Sequence, residues 1–186
     1  MKILGIRGSP RRGGNSDVLL EWFLSSGFSD AEILTPSQLH IQFCRGCRYC
    51  EAMGKCVIQD DMAVVVEKLL AADRVVVSTP VFFYGLPAPF KALVDRAQVL
   101  WARRYLFKEN MKPKKGFLLA VGATRGERLF EGVVLTIKYF FDAFRCSYEG
   151  GLFFRGFDAL ASIRECHTCQ EETRASGRFF LRGEDA

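Results

Sequence analysis

The chain has 186 residues, of which 49% are hydrophobic and 25% charged, a balance that suits one globular domain over residues 1–186 with a single buried core. Residues 1–8 reach charge and glycine too early for a signal peptide, and the apolar runs at 63–72 and 117–121 are too short to cross a bilayer. The composition therefore excludes a membrane-spanning class, and we expect a soluble cytoplasmic protein whose seven cysteines are reduced thiols.

The formal net charge of +5 is modest and concentrates around one expected turn. A solvated connector accounts for this basic cluster, and the alternative is a docking surface for an anionic partner such as an acidic electron carrier or a dinucleotide phosphate. No motif supports nucleic-acid binding, and we expect none. The basic cluster consists of Arg103, Arg104, Lys108, Lys112, Lys114 and Lys115.

Hydrophobic periodicity and turn residues predict five strands that alternate with helices. Such alternation is typical of an α/β fold with a parallel sheet, whose ligands bind beyond the carboxyl ends of the strands. In chain order we expect a strand at 2–6 and a helix from Asn15, a strand at 31–34 and a helix from Asp60 or Asp61, a strand at 74–78 and a helix from Pro87 to about Phe107, a strand at 116–121 and a helix at 129–144, and a strand near 148–154 before a helix from about Asp158.

The turn at residues 8–16 follows the first strand and runs directly into a helix. Backbone N–H groups and the helix dipole converge there, so the turn predicts an anion site. The alternative is an ordinary glycine-rich turn, and neither the Walker A pattern nor the dinucleotide fingerprint is present. The residues expected to hold the anion are Ser9, Arg11, Gly14, Asn15 and Ser16.

The segment Gly-Ser-Pro-Arg-x-x-x-Asn-Ser in this turn resembles the FMN phosphate loop of the NADPH-dependent FMN reductase family. Residues 78–85 and 91–96 resemble that family's isoalloxazine loop and the helix after it, and the resemblance weakens after Gly126. It implies a flavodoxin-like, doubly wound, three-layer α/β sandwich with a five-stranded parallel sheet of order 2-1-3-4-5. It also implies FMN at the switch point beside the first strand.

Two further loops at the same edge of the sheet are expected to contact the flavin. The loop after the third strand offers backbone N–H groups and aromatic rings that suit a planar ring system, although its aromatic residues could instead pack in the core or at a subunit interface. No catalytic acid or base is expected, because the hydride chemistry belongs to the cofactor. The expected contacts are Pro80, Val81, Phe82, Phe83, Tyr84 and Gly85, followed by Gly122, Thr124 and Arg125 of the loop after the fourth strand, which is less glycine-rich than in many relatives.

Four cysteines form the most specific motif, in the pattern Cys44-x2-Cys47-x2-Cys50-x5-Cys56. Four thiolates within one short loop predict a [4Fe–4S] cluster, and the basic residues between them would favour the thiolate form. The alternative is a zinc site, although all-cysteine zinc ligands are more often arranged as two separated pairs.

The cysteine loop at 44–56 and the following residues 57–62 resemble the iron–sulfur flavoprotein branch of the same family. The resemblance implies electron transfer between cluster and FMN, with ferredoxin or NAD(P)H as the donor and a homodimer or homotetramer as the assembly. One alternative is an NAD(P)H-dependent FMN or quinone reductase whose cysteine loop is structural and either binds zinc or binds no metal. Another is a non-catalytic redox sensor.

Three other cysteines lie outside this loop. Cys166 and Cys169 flank His167 and Thr168 in the expected last helix, where two thiols and one imidazole leave a metal site incomplete. We therefore expect neither a second metal nor a redox pair there, and Cys146 is expected to be a small buried residue.

Overall fold

The computed structural model describes residues 1–27 and 30–182. A five-stranded parallel sheet in the order β2-β1-β3-β4-β5 forms its centre, as predicted. The strands are β1 (Ile3–Arg7), β2 (Glu32–Leu34), β3 (Arg74–Pro80), β4 (Lys114–Gly122) and β5 (Cys146–Arg155).

Helices cover both faces of this sheet. They are α1 (Asn15–Ser25), α2 (Tyr49–Met53), α3 (Met62–Ala71), α4 (Ala88–Arg96), α5 (Gln98–Tyr105), α6 (Glu131–Asp142) and α7 (His167–Arg182). Short 3₁₀ turns occupy Pro36–Gln38 and Ser162–Glu165. Nowhere in residues 1–27 and 30–182 is a helix both long and apolar enough to cross a membrane.

Alternating side chains of the central strands divide the core into two halves. In β3, Val75 and Val77 face α3, α4 and α6, whereas Val76 faces α1 and α7. Such a run of β-branched residues buried on both sides is typical of a central parallel strand. The fold is therefore the flavodoxin-like, doubly wound α/β sandwich that the motifs implied.

Two helix predictions were wrong in detail. The helix expected from Pro87 to Phe107 is interrupted at Ala97, whose N–H is shared between the carbonyls of Leu93 and Val94 as the turn tightens. The last helix begins at His167 rather than near Asp158, because Ala161 has a left-handed conformation with φ of 55°.

The cysteine loop leaves the sheet between β2 and α3. Its short helix α2 is preceded by Arg48, which has a φ of 58°, and packs against α5. The loop therefore lies beside the α4–α5 pair, on the face of the sheet opposite α1 and α7.

Candidate functional site

The carboxyl ends of four strands bring the three predicted loops to one edge of the sheet. The strands β1, β3, β4 and β5 end at Arg7, Pro80, Gly122 and Arg155. The segment 156–163 after β5 joins the same edge, a contribution that the sequence did not indicate. This edge is where an open α/β sheet binds its ligand.

The turn at residues 8–16, expected to hold an anion, forms a preformed backbone cradle. Gly8 donates to the Ser78 carbonyl at 2.7 Å, and the Ser9 hydroxyl both accepts from Arg11 N–H and contacts the Arg11 carbonyl. Gly13 has a φ of 68°, which favours glycine, and Gly14 precedes α1 without any side-chain cap. The first N–H groups of α1 therefore keep the dipole and donors that bind an anion.

Asp17 lies beneath this loop and holds it closed. Its carboxylate accepts from Gly13 N–H at 2.8 Å and lies 3.6 Å from Arg7 Nε. Burial raises the pKa of Asp17, although the Gly13 hydrogen bond and Arg7 oppose that rise. An acidic residue in the first turn of a helix is the sequence signal that could have indicated this role.

Asn15 does not face the cradle with its side chain. Its Nδ2 donates to the Ala159 carbonyl at 3.0 Å, and its Oδ1 accepts from Ile163 N–H at 3.0 Å. Ser16 is buried as well, and its carbonyl accepts from the Ser78 hydroxyl at 2.6 Å. These contacts fix the start of α1 and engage the Asn15 amide within the protein, so that this side chain is not directed at the cradle.

The loop after β3 forms a tight hairpin at the sheet edge. Phe82 and Gly85 exchange both backbone hydrogen bonds, and the two residues between them, Phe83 and Tyr84, have φ of 46° and 61°. Phe83 is fully exposed. The Tyr84 carbonyl lies so close to Gly132 that a side chain at position 132 would collide with the Tyr84 backbone. Positive φ in two aromatic residues is strained and is typical of functional loops.

The loop after β4 is attached to the end of β5. The Gly122 carbonyl accepts from Gly156 N–H at 2.8 Å, and Arg155 donates to the carbonyls of Gly126 and Glu127. Arg125 lies against Gly156, and Thr124 is exposed toward the edge. The structure therefore brings all three predicted loops together around one open edge.

The four cysteines of the predicted cluster line one cavity of about 390 Å³ together with Arg45, Arg48 and Arg96. Burial, with the neighbouring sulfurs of Cys56 and Cys44, raises the pKa of Cys50. In residues 1–27 and 30–182, no three His, Cys, Asp or Glu side chains converge closely enough to hold one metal ion.

Arg96, which lines this cavity, forms a buried ion pair with Asp60. Arg96 makes two hydrogen bonds to Asp60, at 2.8 and 3.0 Å, and others to the carbonyls of Gln42 and Ile58. Burial opposes its charge, but Asp60 and the nearby Cys56 raise the pKa of Arg96. Among the described residues, the buried Nε of Arg96 has no hydrogen-bond partner. An unpaired cationic donor beside four thiols fits an anionic cluster.

One sequence expectation needs correction. Cys166 and Cys169 are joined in a disulfide, so the expectation that all seven cysteines are reduced thiols was wrong.

The basic cluster makes several ion pairs, in which Arg103 binds Glu109, Arg104 binds Asp142 and Lys112 binds Asp73. These three basic side chains therefore have acidic partners within the chain.

Comparison with known proteins agrees with this architecture. The sequence pattern of the NADPH-dependent FMN reductase family matches residues 1–131. An iron–sulfur flavoprotein of Methanosarcina thermophila is 36% identical over 129 residues, which are 67% of this chain and 65% of that protein, so the chain spans just under two thirds of its length. A Bacillus subtilis protein, named as an NAD(P)H-dependent FMN-containing oxidoreductase, is 30% identical over 81% of this chain and 82% of its own.

A solved structure extends the similarity to the whole fold. The Trp repressor binding protein from Bacillus subtilis superposes with a TM-score of 0.68 and 26% identity, covering 93% of this chain and 97% of that one. The chain belongs to the iron–sulfur flavoprotein branch of the NADPH-dependent FMN reductase family.

Proposed function

We propose that the chain transfers electrons between a [4Fe–4S] cluster held by Cys44, Cys47, Cys50 and Cys56 and an FMN held at the carboxyl edge of the sheet. The observation that carries this proposal is the single cavity lined by all four thiols above the unpaired Arg96 Nε. When bound, the two groups supply the redox chemistry, since a cluster exchanges single electrons and a flavin exchanges one or two.

Different segments at this edge of the sheet would bind different parts of FMN. The uncapped start of α1 and the backbone of residues 8–14 would bind the phosphate, with Arg11 exposed nearby to add positive charge. The hairpin at 80–85 and the loop at 122–126 would hold the ring system. Phe83 and Tyr84 present exposed aromatic surface there.

The cavity residues would position and tune the cluster. Arg45, Arg48 and Arg96 place positive charge around the thiols, which favours thiolate ligands. Because Arg96 is held by Asp60 and two backbone carbonyls, its charge is fixed in place. Such outer contacts are the means by which proteins orient cluster ligands and set potentials.

The donor is either a nicotinamide nucleotide or an electron carrier such as ferredoxin. The family and the Bacillus subtilis relative favour NAD(P)H, which also supports a second candidate function, an NAD(P)H-dependent reductase with a structural cysteine loop. We further propose a homodimer or homotetramer, because exposed apolar side chains border the cysteine loop at Phe43, Met53 and Phe107. Light scattering on the purified protein would measure this assembly.

Anaerobic purification with iron, sulfide and FMN analysis tests the main proposal. We expect about four iron atoms and about one FMN per chain. The Cys47→Ser variant is expected to lose iron and keep FMN, whereas Cys146→Ser, which changes a buried thiol outside the cavity, should retain both. Stoichiometric zinc without flavin would refute the proposal.

Anaerobic stopped-flow spectroscopy then separates the two candidate functions. Wild type and Cys47→Ser are mixed separately with NADH, NADPH and reduced ferredoxin, and flavin absorbance is followed. Electron transfer through the cluster predicts that Cys47→Ser loses reduction by ferredoxin. Unchanged turnover with NAD(P)H and a small acceptor in that variant supports the reductase with a structural loop.

A further inference from the structure

A second pair of cysteines lies outside both proposed cofactor sites. Cys166 immediately precedes α7 and Cys169 lies in its first turn, so the two form a Cys-x-x-Cys motif at the start of a helix of 16 residues. Their sulfurs are joined in a disulfide, while the other cysteines, including Cys146, are free. In reducing compartments, a disulfide of this kind usually has a catalytic or sensing role.

The two sulfurs have unequal access to solvent. Cys166 is partly exposed, whereas only 7% of Cys169 is accessible. An incoming thiol therefore reaches the sulfur of Cys166 and is screened from that of Cys169. This asymmetry is what an attacking thiol and its resolving partner require.

Local contacts stabilise negative charge on the sulfur of Cys166. It accepts a hydrogen bond from Cys169 N–H at 3.3 Å, and its distance to Thr168 Oγ1 is 3.4 Å. It also lies at the positive end of the α7 dipole. Cysteines at helix N-termini in Cys-x-x-Cys motifs form reactive thiolates for these reasons.

A purely structural role explains the disulfide less well. The bridge closes a loop with only two residues between its ends, and short loops gain the least from cross-linking. The helix is already held without it, because Phe180 and Leu181 pack into the core beside α1 and Thr173 is fully buried.

We propose that Cys166 and Cys169 are a redox-active pair that exchanges electrons with dithiol substrates. A thiolate of the dithiol attacks Cys166 Sγ, the Cys166–Cys169 bond breaks, and Cys169 leaves as a thiolate that takes up a proton. The second thiol of the dithiol then attacks the mixed disulfide and releases Cys166. Two electrons and two protons pass to the pair, and the dithiol becomes a disulfide.

Trypsin provides a direct readout in the full-length holoprotein. Cleavage after Arg164 and Arg174 yields one peptide, residues 165–174, that contains both cysteines and none of the other five. After thiol alkylation, mass spectrometry distinguishes the bridged peptide from the doubly alkylated one. The cluster cysteines therefore do not interfere with the measurement.

We expect dithiothreitol to open the bridge in the folded holoprotein, without denaturant, and oxidised dithiothreitol to restore it. Cys146 is the internal control, because burial raises the pKa of Cys146 to about 12 and it should resist alkylation throughout. A bridge that opens only in urea, or a pair that stays dialkylated under every oxidant, overturns the proposal.

Two variants test the assigned order of attack. Oxidised glutathione is expected to modify Cys166 in Cys169→Ser at least about tenfold faster than Cys169 in Cys166→Ser. Equal rates, or faster modification of Cys169, overturn the assignment of Cys166 as the attacking thiol. Because the peptide readout uses wild-type protein, the proposal remains testable if either variant fails to fold.

Discussion

Arg96 places a charge in the interior at the end of α4, where its side chain is 1% exposed and that of Asp60 is fully buried. Although burial favours the neutral acid, the Arg96 hydrogen bonds and the N–H groups of Gln42 and Met62 lower the pKa of Asp60. A pair held this way connects the cysteine loop to α4. The sequence displayed both residues but not their pairing, since 36 positions separate them.

Replacing Arg96 with alanine should destabilise the protein by about 3–5 kcal/mol, because Asp60 is left buried without its partner. Urea unfolding measures the loss. Lys91→Ala on the same helix is the matched control, since its pair with Asp95 is half-exposed and contributes only about 0.3–0.5 kcal/mol. A similar effect for both variants would contradict the assignment.

Asn15 shows where residue-level prediction from sequence is limited. Its position in the loop predicted a phosphate donor, but its side chain binds residues more than 140 positions away. The motif indicates which residue stands at position 15 and what its sequence neighbours are. The direction of the Asn15 amide depends instead on its hydrogen bonds to Ala159 and Ile163, which are distant in sequence.

Asn15→Ala should lower the free energy of unfolding by about 1–3 kcal/mol, because Ile163 N–H and the Ala159 carbonyl lose their partner. FMN affinity, measured by fluorescence titration, should fall with it. Ser25→Ala at the other end of α1 is the control, since its partly exposed hydroxyl bonds only to the Trp22 carbonyl. Equal stability of the two variants would show that Asn15 is not an anchor.

At the scale of elements, the hairpin at 82–85 has a conformation that its sequence opposes. A two-residue turn with positive φ at both central positions favours Asn-Gly, yet Phe83 and Tyr84 occupy them. The strain is consistent with side chains selected for contact with a ligand.

The double variant Phe83→Asn/Tyr84→Gly should therefore raise the free energy of unfolding by about 1–2 kcal/mol and weaken FMN binding about fivefold to tenfold. Thermal unfolding and flavin titration measure the two effects. Phe83→Gly, which relieves strain and removes only the fully exposed Phe83 ring, separates the contribution of Phe83 from that of Tyr84. Unchanged FMN affinity in the double variant would contradict a role for Tyr84.

Elements were predicted best where the hydrophobic pattern was strong. The β-branched run of β3 and the alternation of strands and helices were enough for a parallel sheet, whereas its strand order was implied by the family resemblance. The break at Ala97 and the late start of α7 were not predictable, because they depend on a shared N–H group and a left-handed alanine rather than on periodicity.

At the scale of the whole molecule, the two proposed cofactor sites are built on different elements. The flavin edge uses the loops after the strands, whereas the cysteine cavity uses the excursion between β2 and α3 and the side of α4 and α5. Of the four cluster cysteines, Cys50 packs against a core half, and most of the packing of the sheet is made by residues outside the cysteine loop.

Removal of iron with a chelator under anaerobic conditions should therefore leave the fold and the FMN in place. We expect the far-ultraviolet circular dichroism and the flavin content to stay within about a tenth of the untreated values. The melting temperature should fall, because the iron-free protein lacks the stabilisation that cluster binding provides. Release of FMN in step with iron would show that the two sites are one cooperative unit.

The three contacts of Asn15 have a consequence for biosynthesis. Its partners lie in residues 157–163, which leave the ribosome long after the first strand and helix. The early strands of a nascent chain can pair, but the first turn of α1 lacks its hydrogen bonds to residues 157–163 until those residues have been synthesised. We therefore expect the start of α1 to reach its final geometry only after residues 157–163 have been synthesised.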